Sequence, residues 1–217
     1  MSTPVRTLIL DFDGTIGDTS TLIVKTLADT LEALGFPPRT QAEYVSTIAL
    51  PLPLAFQQLG VTPEDSLQCT DHYVNVQFPK NKSLVPVLPF PGVVDTLREI
   101  HRQGITLTIA TNRRAPSLIE LLKAMDIYTL FSYIVTVVDV PNPKPAGDMA
   151  LHILRQTSSQ PLDTMVVGDT SLDILMGKNA RCRTCGVTYG NGSRESLMEA
   201  GADCLIDQFH ELIKLCV

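Results

Sequence analysis

The chain has 217 residues, 44% of them hydrophobic, and a net charge of −6. That length buries the core of one domain, or of one domain carrying a smaller inserted one. No block of Lys or Arg marks a nucleic-acid groove, and no apolar run approaches the roughly 20 residues that cross a bilayer, so neither nucleic acid nor membrane is expected as a partner. In chain order, residues 7–10 (Thr-Leu-Ile-Leu) read as an apolar strand running into Asp11-Phe12-Asp13-Gly14-Thr15. The start of the chain carries no basic stretch, long apolar segment or small-residue cleavage site, and a cytoplasmic location is expected. Ile23, Leu27, Leu31 and Leu34 then form a helical stripe ending at Gly35. Residues 41–49 and 54–59 read as short helices separated by Pro51 and Pro53, and 63–78 as a further helical stretch.

From residue 90 onward strands and helices alternate. Strands are predicted at 105–110, 133–138, 164–167, 182–187 and 203–206, and helices at 116–125, 146–157, 169–179, 194–199 and 208–215. With residues 7–10 added, this is a βαβ series, and it predicts an α/β fold: a three-layer, doubly wound parallel sheet with helices on both faces. The helical stretch interrupts the series just after its first strand. Residues 18–85 are therefore expected to form an inserted α-helical domain on linkers near 16–19 and 84–90, with 1–17 and 86–217 making the α/β core.

Five cysteines, an odd number, make a poor disulfide framework. Cys182-x-x-Cys185 has redox or zinc spacing, but no second pair completes a tetrahedral site and the segment also reads as a strand. The histidines (His72, His101, His152, His210) are scattered.

Four places at strand ends carry chemistry. Asp11 and Asp13 are one residue apart, so at a strand's end their carboxylates are expected to converge on one volume and to call for a divalent metal, acid/base chemistry or both; a strand followed by a polar turn fits the same residues. Thr111-Asn112 offers a hydroxyl, an amide and main-chain N–H groups to a phosphate, or simply caps a helix. Lys144, held between Pro143 and Pro145, is a candidate phosphoryl partner or an exposed loop lysine. Gly168-Asp169-Thr170-Ser171-Leu172-Asp173 places two carboxylates at a helix start, as metal ligands or as a favourable match to the helix dipole. Arg113 and Arg114 either reach a substrate anion or form a solvated helix start, and Lys25, Arg39, Lys80 and Lys82 are similarly ambiguous cations of the helical region. Residues 49–52 name no substrate.

In order, Asp11-Phe12-Asp13-Gly14-Thr15, Thr111-Asn112, Lys144-Pro145 and Gly168-Asp169-x-x-x-Asp173 resemble the four motifs of the haloacid dehalogenase superfamily of phosphohydrolases. The resemblance covers nearly the whole chain. The helical insert resembles the α-helical cap of the phosphoglycolate phosphatase and β-phosphoglucomutase subfamily, and the stretch from Gly168 to Gly190 is most similar to the phosphoglycolate phosphatase branch. Two departures stand out: Gly147, where relatives often have proline, and Gly17, expected to loosen the hinge.

The resemblance implies a Mg²⁺-dependent phosphatase for a small phosphorylated metabolite. Asp11 would be the nucleophile, an ordinary ionised carboxylate that needs no base, giving an aspartyl phosphate. Asp13 would be the general acid and base, and its main-chain carbonyl would meet the metal. Asp11 and Asp169 would ligate Mg²⁺ directly and Asp173 would steady a metal-bound water. Thr111, Asn112 and Lys144 would hold phosphoryl oxygens, and the cap would close over the site. A second aspartate at position 13 favours phosphoryl transfer over dehalogenation. The alternative is a phosphosugar mutase of β-phosphoglucomutase type; substrate identity and oligomeric state are not legible.

Overall fold

The computed structural model describes residues 4–216; the first three residues and Val217, at the two ends of the expected core, lie outside the described residues. The chain divides into two compact units, one holding residues up to Gly17 and from Pro89 onward, the other Asp18–Leu88. Strands in chain order are β1 (Thr7–Leu10), β2 (Gly17–Asp18), β3 (Leu88–Pro89), β4 (Thr106–Thr111), β5 (Phe131–Thr136), β6 (Thr164–Gly168), β7 (Arg183–Val187) and β8 (Cys204–Ile206). β2 and β3 pair as a two-stranded ribbon, and the other six form one sheet in the order β5-β4-β1-β6-β7-β8. Every pairing in that sheet is parallel.

The sheet is covered on both faces, which is why its central strands are apolar at successive positions. All four residues of β1 are buried, as are all five of β6. On one face Ile9, Ala110, Val135 and Val166 pack against Met149, Ile153, Leu154 and Met176 from the helices Asp148–Thr157 and Ser171–Asn179. Counting outward, the chain builds β1, β4 and β5 to one side, then returns to lay β6, β7 and β8 on the other.

Three local readings are corrected. A helix at Val93–Arg102 is missing from the sequence reading; it turns Val93, Thr96, Leu97 and Ile100 inward, a 3–4 residue spacing that carries the signal. β5 ends at Thr136, not 138, because the Asp139 carboxylate accepts the Thr136 N–H and hydroxyl, both at 2.7 Å, and turns the chain. The helix read from residue 169 starts at Ser171, with Thr170 as its cap.

The unit Asp18–Leu88 has its own core, built from Leu22, Leu27 and Leu31 of the helix Ser20–Ala33 with Phe56, Tyr73 and Phe78. The reading of 63–78 as helical corresponds to Pro63–His72, which continues through a wider turn at Tyr73–Gln77 into Phe78–Asn81. Among the described residues no helix is long and apolar enough to cross a membrane. The five cysteines are free thiols, and Cys182 and Cys185 are both buried.

Candidate active site

Parallel pairing brings the strands' carboxyl ends to one edge, and the site is built there. Asp11 directly follows β1, and its N–H still donates to Val167 O at 2.9 Å, so the β1–β6 ladder fixes where its side chain leaves the sheet. Asp169 directly follows β6, Thr111 is the last residue of β4, and Lys144 lies in the connection after β5. Strand order reverses between β1 and β6, the point at which open α/β sheets bind ligands. Asp11 and Asp169 flank it.

Asp11, Asp169 and Asp173 each offer a carboxylate oxygen within 4.8 Å of the others, all three buried, and this is the one such cluster of His, Cys, Asp or Glu among the described residues. Lys144 Nζ donates to Asp11 Oδ1 at 2.7 Å and to Asp173 Oδ1 at 2.5 Å. Asp173, which the resemblance puts one layer back, thus brings its carboxylate into the same cluster. Its Oδ2 accepts the Thr170 N–H at 3.0 Å and hydroxyl at 2.8 Å, which starts the helix and pins the carboxylate together. Gly168 makes room: a Cβ there would fall 2.2 Å from Asp173 Cγ.

The Asp13 carboxylate does not join the cluster, contrary to the expected convergence. The chain leaves strand geometry at Phe12, whose carbonyl accepts from the N–H groups of Ile16 at 3.0 Å and Gly17 at 2.9 Å, so alternation no longer sets side-chain direction. Instead Asp13 faces Arg113, which donates from Nη2 to Oδ1 at 2.6 Å and from Nε to Oδ1 and Oδ2 at 3.1 and 3.0 Å. Both side chains are largely shielded, at 7% and 11% exposure. Arg113, read as a possible ligand for a substrate anion, is engaged with a carboxylate of the chain itself.

Elsewhere, Thr111 Oγ1 accepts the Arg113 N–H at 3.2 Å, and Asn112 lies half-buried beside it. Arg114 is exposed. Arg39 donates from Nε to Leu59 O at 2.7 Å and Lys25 pairs with Asp29 at 3.0 Å, so both serve the helical unit's own structure. Gly17 has a packing reason for its missing side chain, since a Cβ would lie 3.0 Å from the Phe12 ring, and Gly147 fits against the main chain of Asn179 at 3.0 Å.

Charge tests whether a cation fits. Three carboxylates (Asp11, Asp169, Asp173) face one cation, Lys144, a formal charge of −2 on the cluster, while Asp13 and Arg113 balance each other beside it. Burial pushes Asp11 up to about 7 against the pull of Lys144, with Asp173 and Asp13 adding to the rise. It is therefore not the ordinary carboxylate the sequence reading expects. Asp169 is likewise held well above the usual carboxylate range, first by burial and then by Asp173 and Asp11. Burial opposes the Lys144 ammonium, but Asp11 and Asp173 outweigh it and keep its proton held above the ordinary lysine value. Buried, oxygen-only donors that resist ionising beside one another, with a formal excess of two negative charges, fit a hard divalent cation that would take the place of their protons.

The sequence reading gives Thr15 and Tyr189 no role of their own, although both lie in the stretches that carry the resemblance, and it leaves out Asn191. Asn191 donates its N–H and Nδ2 to Asp169 Oδ2 at 2.7 and 3.0 Å, and Thr15 Oγ1 donates to Asp169 Oδ1 at 3.3 Å. Tyr189 donates its hydroxyl to Thr15 O at 2.8 Å. The available signal was Gly190-Asn191-Gly192, a pattern too short to name its partner.

Comparison with known proteins gives a consistent picture. The family model described as "Haloacid dehalogenase-like hydrolase" matches residues 8–187. The chain is 32% identical to the "Probable phosphatase IndB" of Dickeya dadantii over 95% of its own length and 91% of that protein. It is 34% identical to the "Phosphoglycolate phosphatase" of Salmonella typhimurium over 57% of its length and 49% of that protein. Among solved structures, a predicted phosphatase from Clostridium acetobutylicum superposes with a TM-score of 0.87 over 98% of both chains at 22% identity, a likeness of fold.

Proposed function

Because the chain belongs to the haloacid dehalogenase-like hydrolases, we propose that it is a Mg²⁺-dependent phosphatase hydrolysing a small phosphomonoester through an aspartyl phosphate on Asp11. The observation that carries this reading is the buried cluster of Asp11, Asp169 and Asp173 closed by Lys144 at the reversal of strand order. On this reading the α/β unit is the catalytic domain and residues 18–85 are an inserted helical cap.

An Asp11 carboxylate oxygen attacks phosphorus in line; the new O–P bond forms as the bond to the leaving oxygen breaks. Asp13 supplies the proton to that oxygen, then takes one from the water that cleaves the aspartyl phosphate and returns Asp11 to its starting state. For either transfer Arg113 must release Asp13. Lys144, already at hydrogen-bond distance from Asp11, offsets the repulsion between that carboxylate and a phosphate dianion. Thr111 and Asn112 hold phosphoryl oxygens. Asp11 and Asp169 would hold Mg²⁺ together with the Asp13 main-chain carbonyl, while Asp173 steadies a water on it. When bound, the ion supplies the positive charge that lets dianion and carboxylate approach.

Among substrates, 2-phosphoglycolate is the first to test, given the name of the Salmonella relative. Transfer to a sugar hydroxyl is not proposed: the relatives named above are phosphatases. Phosphate release measured over a panel of phosphomonoesters with Mg²⁺ tests the reading. Asp11→Asn is expected to lose more than about a thousandfold in turnover while keeping its fold. Unchanged rates in that variant would remove Asp11 as nucleophile, and full activity in EDTA would remove the metal.

A further inference from the structure

Three carboxylates make the cluster, and they are not held alike. Lys144 donates to Asp11 and to Asp173. Asp169, fully buried, is held instead by neutral donors: Asn191 through its N–H and Nδ2 on Oδ2, and the Thr15 hydroxyl on Oδ1. A carboxylate oxygen has two lone pairs. The two bonds from Asn191, at 2.7 and 3.0 Å, fill both on Oδ2, whereas Oδ1 accepts the longer bond of 3.3 Å and keeps a lone pair.

The main chain around Asn191 is shaped for this contact. A Cβ on Gly190 would fall 2.3 Å from Asp169 Cβ and 2.4 Å from Gly14 O, and one on Gly192 would fall 2.1 Å from Asp169 O. On the opposite side a Cβ on Gly14, at φ +83°, would lie 2.1 Å from Asp169 Oδ2 and 2.3 Å from Asn191 Nδ2. Glycine is thus required before Asn191, after it and across from it. The Tyr189 hydroxyl on Thr15 O ties this segment to the one carrying Asp11 and Asp13, and its ring packs 4.7 Å from that of Phe90.

We infer that Asn191 is a positioning residue for Asp169: by filling Oδ2 it turns Oδ1 toward the cation and fixes that ligand's direction. It acts through Asp169 and has no role in bond making. The inference rests on the reading of Asp169 as a cation ligand. Its consequence is selectivity, because Mg²⁺ demands near-ideal octahedral geometry and Ca²⁺ accepts a looser shell.

The test is calorimetric titration of the full chain with MgCl₂ and, separately, CaCl₂, for the native protein, Asn191→Ala, Asn191→Asp and Asp169→Asn, with the melting temperature of each measured in EDTA. Outer partners of metal ligands typically govern 10–100-fold in affinity. Asn191→Ala keeps the main-chain bond, so about a tenfold loss for Mg²⁺ is expected, with a smaller loss for Ca²⁺. Asn191→Asp, the same shape but with an acceptor facing an acceptor, is expected to lose more for Mg²⁺. Native Mg²⁺ affinity and native Mg²⁺/Ca²⁺ preference in Asn191→Ala would overturn the inference alone. So would an equal loss for both cations together with a lower melting temperature in EDTA, which marks general structural damage. A native protein that binds neither cation, or an Asp169→Asn variant that binds as the native protein does, would overturn the inference together with the reading beneath it.

Discussion

The two edges of the parallel sheet invite comparison, because the same six strands end in both. At the carboxyl edge Asp11, Lys144, Asp169 and Asp173 are buried together and carry unbalanced charge. At the amino edge lies a cavity of about 630 Å³ bordered by Arg6, Thr7, Thr106, Thr157, Ser159 and Asp163. There the hydroxyls satisfy one another: Thr7 and Ser159 share a hydrogen bond of 2.7 Å, and Ser159 and Thr157 one of 2.8 Å. These hydroxyls are spent on one another, whereas at the carboxyl edge the charge is unbalanced and its partners are locked in place. On the proposed reading, the chemistry belongs where the charges are left unbalanced, not where the space is.

The sharpest way to break this comparison is Lys144→Ala. It leaves Asp11 and Asp173 buried opposite each other, and removing one partner of a buried ion pair typically costs about 3–5 kcal/mol. Urea unfolding is expected to show a loss of that size, with turnover abolished. A stable variant would mean the carboxylates are not charged neighbours at all. The matched change at the other edge is Thr7→Val, which keeps the branched shape in β1 and deletes one hydroxyl. About 1 kcal/mol should be lost with turnover unchanged, because Ser159 retains Thr157. A fall in turnover comparable to that of an active-edge variant would erase the distinction.

The smallest effect is expected at Asp203, just ahead of β8. Partial burial works to raise its proton affinity, but the Lys178 ammonium at 2.5 Å and the Thr184 N–H and hydroxyl at 2.8 and 2.9 Å outweigh it and hold the carboxyl below its usual range. A lowered folded-state value contributes stability that is present above the unfolded value and is lost as pH falls through the folded one. Native protein and Asp203→Asn should therefore differ in melting temperature by a constant amount near neutral pH, with the gap closing below about pH 4. The pair is half exposed, so the gap should correspond to less than about 1 kcal/mol.

What the sequence made legible was periodicity and placement. Apolar β-branched runs bounded by turn residues mark the sheet, and each motif's place at a strand's end puts Asp11, Thr111, Lys144 and Asp169 on one edge. What it could not give was direction past the last ladder bond. Asp13 turns to a guanidinium one hundred residues away, and Asp173 enters the cluster because Lys144 and Thr170 hold it there. Asn191 meets Asp169 twenty-two residues away, through a main chain whose closeness shows only in what its glycines exclude. The helix Val93–Arg102 is legible in the regular spacing of its inward residues Val93, Thr96, Leu97 and Ile100. Val137 and Val138 favour a strand by type, yet the Asp139 carboxylate ends the ladder first.

The central place of β1 has a cost in time. Thr7 lies between Thr106 on one side and Thr164 on the other, so β1, first of the strands in chain order, gains its second neighbour only when β6 has been made. While the chain is being synthesised, an apolar tetrapeptide emerges with neither edge covered and waits through the whole helical unit for its first neighbour. Pairings this distant are slow to close and expose sticky strand edges meanwhile. Refolding from denaturant should accordingly be far more sensitive to protein concentration than the native state is, which light scattering during refolding over a range of concentrations checks.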